Sequence, residues 1–196
     1  MRALALAGLA LAAACAPQQA GRPSAAGGPA PGGLEAQAAR LPAEVAGFTR
    51  GNTVWHEPER PGFGVTVDYA APARAAVATV NLYDRGQGAV AGAPGDPRLS
   101  SEFEIVIADV LALAGTRTQQ RLAEQERSEA PVPGGAPLTC SRLEGTYGRQ
   151  QMTELVCLGA AAGRFLRVQV TAPLRPVRPV DPLLFAVEIA QAARGA

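Results

Sequence analysis

Apolar and polar residues alternate along several short segments of this chain, which is the period expected of β-strands with one buried face. Val65, Val67 and Tyr69 alternate with polar residues, and the segment from Ala76 to Tyr83 follows the same period. β-Branched and aromatic residues are enriched in these segments, which favours strands further. The pattern predicts about six strands, in the ranges 48–57, 62–69, 75–86, 138–147, 152–159 and 163–173.

Helical periodicity appears at the start and at the end of the region that contains these strands. Residues 34–45 predict a short first helix that stops before Gly47. Asp181 and Pro182 form an N-cap and first-turn pair ahead of a run of apolar residues. We therefore predict a closing helix that starts at this pair.

A third helix is predicted between the two groups of strands. Ser101 and Glu104 match the S-x-x-E capping pattern, and apolar residues then recur every three or four positions. Residues 116–129 are polar, and they form either a solvated continuation of this helix or a strand at the sheet edge; we favour the helix. The predicted fold is therefore a single α+β domain over 34–196, with an antiparallel sheet and with a long central helix and a C-terminal helix packed on it.

This order of elements resembles the fold shared by the PsbP and Mog1 proteins and by many small bacterial envelope lipoproteins. The stretches GVTVDY, ATVNLYD and GRFLRVQVTAP followed by a terminal helix carry the resemblance, which covers most of residues 45–194. The resemblance implies an assembly or accessory role without catalysis. It transfers no functional residue to this chain.

The first residues of the chain have the pattern of a secretory signal. One positive charge, Arg2, precedes an apolar run from Ala3 to Ala14. At about 1.5 Å per residue this run forms roughly 18 Å of helix, too short for a bilayer core of about 30 Å. A charged start, a short apolar middle and small residues at the exit are typical of a removed signal peptide, which we place at residues 1–14.

The segment LAAAC, at positions 11–15, resembles the lipobox of bacterial lipoprotein signals, although the large aliphatic residue lies four positions before the cysteine instead of three. The resemblance implies that Cys15 receives a diacylglyceryl group and becomes the mature N-terminus. In a Gram-negative cell, the sorting rule known for such lipoproteins implies the outer membrane, because Ala16 follows the cysteine. The alternative is ordinary cleavage after Ala16, which would leave the unfavourable Pro17 as the first mature residue.

The residues that follow Cys15 include no large apolar side chain that could form a hydrophobic core. Residues 16–33 contain only Ala, Pro, Gln, Gly, Arg and Ser, so residues 15–33 are expected to be a lipidated cysteine with a flexible tether. The chain has 18 basic and 17 acidic residues, and removal of Arg2 leaves 17 of each. We expect no nucleic-acid partner from this balance. Every basic residue is arginine, which we attribute to GC-rich coding and not to a phosphate site.

Two cysteines remain in the predicted domain. If Gly148 and Arg149 form a two-residue turn, residues whose numbers sum to 297 face each other, and Cys140 lies opposite Cys157. Such a pair oxidises outside the cytoplasm. A redox-active or metal-binding pair is the alternative, but the spacing is not C-x-x-C. We predict a structural disulfide worth roughly 3 kcal/mol of stability.

His56 is the only histidine, and it lies beside Glu57 and Glu59. These three residues offer one imidazole and two carboxylates to a metal, but a lone histidine near a strand end is more often an exposed residue, and we expect no metal or cofactor. Asp68 and Asp84 are predicted at strand ends, where paired acids can serve as general acid and base.

The expected function is that of a membrane-anchored cell-envelope lipoprotein. Its domain is expected to be a non-catalytic accessory or interaction module whose partner is another envelope protein. The alternative is an envelope hydrolase or a small-ligand carrier with a site near His56, Asp68 and Asp84. A carrier would contain an apolar cavity between the sheet and the long helix.

Overall fold

One antiparallel sheet of eight strands organises the folded part of the chain. The computed structural model describes residues 33–93, 95–117, 121–176 and 178–195. The predicted signal peptide, Cys15 and the tether up to residue 32 lie outside the described residues. The elements, in chain order, are α1 (Leu34–Arg40), β1 (Glu44–Val45), β2 (Phe48–Trp55), β3 (Val65–Ala70), a 3-10 turn (Pro72–Arg74), β4 (Val77–Tyr83), α2 (Pro97–Arg117), β5 (Arg121–Ala130), β6 (Leu138–Tyr147), β7 (Gln150–Ala161), β8 (Arg164–Pro173) and α3 (Pro182–Arg194).

The strand order is β1-β2-β3-β4-β8-β7-β6-β5, and all of the pairs are antiparallel. Two four-strand meanders therefore join where β4 pairs with β8. α2 connects β4, in the middle of the sheet, to β5 at its edge. None of the helices within the described ranges is long and apolar enough to cross a membrane.

Helices α1 and α3 pack on one face of the sheet and α2 packs on the other. Because successive strand residues point to opposite faces, Leu166 joins a buried cluster with Phe185 of α3, whereas Phe165 joins a second cluster with Phe103 of α2. The ring of Phe185 lies 4.5 Å from that of Phe48 and contacts the β3 side as well. The molecule thus has a core on each side of the sheet.

The α+β class and the antiparallel sheet are confirmed, but the predicted number of strands is wrong. The sheet has eight strands instead of about six, because β1 was not predicted and β5 was only the alternative that we did not favour. The preference for a helix over 116–129 is wrong from Arg121 onward, where the chain forms β5. This strand is mostly exposed at the sheet edge, so charged residues occupy it without the alternation that marks buried strands.

The two helix starts differ in how well the sequence predicted them. Pro182 begins α3 as predicted, with the Asp181 carboxylate accepting a hydrogen bond from the Leu184 amide at 2.9 Å. The prediction that α2 starts at Ser101 is wrong. The helix begins one turn earlier, at an Asp-Pro pair like the one that begins α3. There the Asp96 carboxylate accepts from the Arg98 amide at 2.9 Å.

The first helix is also shorter than predicted. It ends at Arg40 instead of residue 45, because Pro42 lacks an amide hydrogen and disfavours helical geometry at the residue before it. The chain then becomes extended, and Glu44 and Val45 form β1 against β2.

The predicted hairpin and disulfide are confirmed. Tyr147 pairs with Gln150 across the turn, and Cys140 lies opposite Cys157. Gly148 has φ +59°, as the first position of a type II′ turn requires. The two cysteines form a disulfide with a Cα–Cα distance of 4.0 Å.

Candidate functional site

A cleft of about 170 Å³ opens on the α2 face of the sheet, beside that helix. Its floor comes from three neighbouring strands. Thr66 of β3 is the register partner of Asn81 of β4, which is in turn the partner of Arg167 of β8. Because register partners point to the same face, these three polar side chains form one row. We call this site the arginine cleft, and its lining residues are His56, Arg60, Phe63, Thr66, Asn81, Tyr83, Arg85, Asp109 and Arg167.

One end of the row is held by His56, directly after β2. The histidine amide donates to the Gly64 carbonyl at 2.8 Å, which fixes the backbone between β2 and β3. The ring Nε2 lies 2.8 Å from the Thr66 hydroxyl, and Asn81 donates to the same hydroxyl at 2.6 Å. The imidazole is therefore engaged in a hydrogen-bond network on the floor of the cleft.

The loop between β2 and β3 carries Arg60 and Phe63 into the cleft. The Glu57 carboxylate closes this loop by accepting hydrogen bonds from the Gly62 amide at 3.0 Å and the Gly64 amide at 2.8 Å. Gly64 has φ +64°, and a Cβ there would lie 1.7 Å from the Leu82 carbonyl oxygen, so the position requires glycine.

Arg60 stacks on its loop neighbour. Its guanidinium lies 3.7 Å from the centre of the Phe63 ring, a cation–π contact. Arg60 forms no ion pair with a carboxylate among the described residues. Arg60 therefore adds a positive charge to the cleft that no ion pair neutralises.

A buried acid anchors the other wall of the cleft. Glu102 of α2 is 5% exposed and accepts hydrogen bonds from the Tyr83 hydroxyl at 2.7 Å and from Arg85 Nη2 at 2.8 Å. Burial and the adjacent carboxylate raise the pKa of Tyr83, and the hydrogen bond to Glu102 raises the pKa of Arg85. Tyr83 thus stays protonated and Arg85 stays charged.

Asp109 is the acidic residue that lines the cleft. It lies on α2, its carboxylate is 4.0 Å from Arg85 Nη2, and its side chain is 55% exposed. An exposed pair at this distance is weak. Asp109 therefore reduces the positive potential at the rim without neutralising the floor.

Arg167 is the most deeply placed cation of the cleft. Its Nη2 donates to the side-chain carbonyl of Gln169, whose amide nitrogen donates to the Glu154 carboxylate. Its Nε is buried without a hydrogen-bond partner in the described structure. Burial lowers the pKa of Arg167 and raises that of Glu154, since both charges are removed from water. No carboxylate within the described ranges forms an ion pair with Arg167.

The three residues proposed for an enzymatic or carrier site do not meet in one pocket. His56 lines the cleft, but Asp84 forms an ion pair with Arg164 at 2.6 Å, and those two positions belong to the face of the sheet that packs on α1 and α3. Asp68 lies two residues beyond Thr66 on β3, outside the lining of the cleft. Neither aspartate is therefore placed to act with the histidine.

Glu57 and Glu59 do not form a metal site with His56. The Glu57 carboxylate is engaged by the loop amides described above, and no group of three potential metal ligands occurs among the residues that the structure describes. The cations Arg60, Arg85 and Arg167 were missed by sequence reasoning, because arginine is the only basic residue of this chain and was attributed to codon bias. The sequence signal that could have identified Arg167 is a charged residue in the middle of a predicted strand, in FLRVQV.

No protein-family model and no curated protein sequence matches this chain.

Proposed function

We propose that this chain is a lipid-anchored protein of the cell envelope whose domain works by binding and not by catalysis. In this proposal residues 1–14 are removed, Cys15 carries the acyl chains, and residues 15–33 hold the domain away from the membrane. The resemblance of the first residues to a lipoprotein signal, with Ala16 after the cysteine, supports the outer membrane with the domain facing the periplasm.

The observation that carries this proposal is the Cys140–Cys157 disulfide. Both cysteines are 0% exposed, and they belong to the same buried cluster as the core of α3. Disulfides of this structural kind persist in oxidising compartments and are rare in the cytosol. The disulfide therefore supports export, independently of the N-terminal residues.

A binding role is supported by the chemistry of the arginine cleft. It presents cationic groups and hydrogen-bond donors, and its histidine is bonded to a threonine hydroxyl. Asp84 is paired with Arg164 and Asp68 lies outside the lining of the cleft, so neither aspartate completes an acid–base site with the histidine. An accessory or interaction domain agrees better with this arrangement than a hydrolase does.

The carrier alternative has less support than binding in the open cleft. A carrier site beneath α2 would need empty apolar space there, but a buried cluster occupies the contact between that helix and the sheet. Phe103, Val106 and Ile107 of α2 pack in this cluster with Leu143 and Val156 of the sheet. The open cleft beside the helix is the better place for a ligand.

Mass spectrometry of the protein purified from membranes of its own cell type tests the anchor. We expect a mature N-terminus at Cys15 that carries acyl chains, and a Cys15→Ala variant that is neither processed at this position nor acylated. The same preparation, unfolded in denaturant and treated with a thiol-specific reagent before and after reduction, should be labelled at Cys140 and Cys157 only after reduction, because both side chains are buried in the folded domain. An unprocessed protein in the cytosolic fraction with all thiols free would overturn the proposal.

Crosslinking in intact cells tests the accessory role. We expect a crosslinked envelope protein to co-purify with the wild type at its native level. Loss of the same species from the Cys15→Ala variant would show that the contact depends on anchoring.

A further inference from the structure

We propose that the arginine cleft binds a small organic anion through one carboxylate or phosphate group, with Arg60 and Arg167 as its ligands. The forked N–H groups of a guanidinium match the oxygens of both acid groups, which is why arginine is favoured at such sites. This inference rests on the binding role proposed above and names the ligand class of the cleft, but it does not depend on the lipid anchor.

The charges that face the cleft leave a positive excess. Three arginines line it, and one of them, Arg85, is bonded to the buried Glu102. The remaining lining charges are Arg60, Arg167 and the exposed Asp109. Glu154 lies on the same face of the sheet, is connected to Arg167 through the Gln169 amide, and also acts on Arg167 by its charge without forming an ion pair. An acid group on a ligand would supply a directly bonded counter-charge, which neither Arg60 nor Arg167 has among the described residues.

Arg164 and Arg167 provide a comparison within one strand. Arg164, on the opposite face of β8, pairs with Asp84 at 2.6 Å. Arg167 is largely buried as well, and the Nε atoms of both arginines are buried without a hydrogen-bond partner in the described structure, but the guanidinium of Arg167 donates only to a neutral amide. A charge removed from water without a counter-charge is unfavourable for folding. A bound anion removes this cost, so the geometry of Arg167 fits a ligand better than a structural role.

The size and the remaining lining restrict the ligand further. A cleft of about 170 Å³ is large enough for several water molecules at roughly 30 Å³ each, and hence for a short organic acid or a phosphorylated three-carbon compound. The Phe63 ring offers an apolar wall, and the Thr66 and Asn81 side chains offer hydrogen bonds to a hydroxyl group. We therefore expect a hydroxylated small anion to bind better than the bare acid group.

Isothermal titration calorimetry of the full chain, purified in detergent, tests this inference. The probes are lactate, glycerol 3-phosphate and inorganic phosphate, with glycerol as the uncharged control, all at constant ionic strength. We expect saturable 1:1 binding of lactate or of glycerol 3-phosphate and none of glycerol. The tighter of the two probes identifies carboxylate or phosphate as the acid group.

Three substitutions connect this binding to the cleft. Arg60→Gln should weaken it by about tenfold or more, which is the usual effect of losing a charge-assisted hydrogen bond. Asp109→Asn should tighten binding, because it removes a negative charge from the rim. Arg149→Gln, in the exposed β6–β7 turn, is the matched control and should leave the affinity unchanged.

Arg167→Gln should abolish binding at accessible concentrations. Because this arginine is largely buried, its variant is interpreted only if it keeps the wild-type circular dichroism spectrum. If Arg167→Gln does not fold, the affinities of Arg60→Gln and Asp109→Asn test the inference. Absence of saturable binding of every anionic probe up to about 10 mM would overturn the inference, as would equal weakening by Arg60→Gln and Arg149→Gln. Neither result would contradict the proposed lipid anchor. Conversely, an N-terminus without acyl chains would not change the expected result of the titration.

Discussion

Reduction of the Cys140–Cys157 disulfide should destabilise the domain by about 3 kcal/mol. The two cysteines are 17 positions apart. A cross-link that closes a loop of this length lowers the entropy of the unfolded chain by about 10 cal/mol/K, which is about 3 kcal/mol at 25 °C. For a domain of this size, the same change lowers the melting temperature by roughly 6–12 °C.

Urea unfolding with and without a phosphine reductant measures this effect. The wild type should lose about 3 kcal/mol of unfolding free energy on reduction, and its m-value should rise because the reduced unfolded chain exposes more surface. A Cys140→Ala/Cys157→Ala variant is the matched control, since it has no cross-link to lose. Its midpoint should be the same in both buffers and should lie below that of the reduced wild type, because both substitutions remove buried sulfur atoms.

Two results would refute this reasoning. A reduced wild type within about 1 kcal/mol of the oxidised protein would mean that the loop-closure entropy is not the main contribution. A control variant that loses as much stability in reductant as the wild type would mean that the reductant acts elsewhere.

Three further substitutions test the local arguments. In urea titrations, Gly64→Ala should lower the unfolding free energy several times as much as Gly88→Ala does. Both glycines have positive φ, but only at Gly64 would a Cβ lie against the Leu82 carbonyl. Equal losses of unfolding free energy would contradict this. Glu102→Gln should lower stability by roughly 1.5–3 kcal/mol, since it removes the charge that accepts the buried hydrogen bonds, and an unchanged urea midpoint would contradict this. Glu154→Gln should stabilise the protein at pH 8. Burial raises the pKa of Glu154 from its usual 4.5. At a pH above the raised pKa, the folded state must therefore hold a buried carboxylate, which is unfavourable. That gain should vanish towards pH 4, where the carboxyl is protonated in both states, and a gain that is equal at both pH values would contradict the cause assigned to it.

The hairpin of β6 and β7 was predictable because its information is local. A two-residue turn at Gly148 fixes the register of every pair in the hairpin, and so places Cys140 opposite Cys157. The closing helix was predictable for a similar reason, since the Asp181-Pro182 pair sets its start within one turn. The apparent capping box at Ser101 was misleading because Ser and Glu are also tolerated inside a helix.

The sequence could not decide between a helix and the edge strand β5, and it did not predict the cleft, because both depend on contacts between distant residues. β5 is stabilised by pairing with β6, and its charged side chains remain in solvent. The row of Thr66, Asn81 and Arg167 exists only because β4 pairs with β8, whose residues lie more than 80 positions further along the chain. His56 was identified as a candidate, but its ring is bonded to Thr66 and it shares the cleft with three arginines instead of with Asp68 and Asp84.

The cleft follows from the number of helices on each face of the sheet. Neighbouring strands are about 4.8 Å apart and a helix is about 10 Å wide, so one helix aligned with the strands covers two or three of them. Two helices cover one face of this sheet, whereas α2 alone packs on the other, over β5 and β7. The uncovered strands of that face must therefore present polar side chains to water.

A solvated sheet face does not by itself explain an arginine such as Arg167. Threonine and asparagine satisfy the requirement for polarity at low cost, as Thr66 and Asn81 do. Arg167 instead buries a charge that has no carboxylate partner in the described structure, while Arg164 on the same strand has one. The requirement for a polar surface accounts for the row, and the proposed anionic ligand would account for the guanidinium at its β8 end.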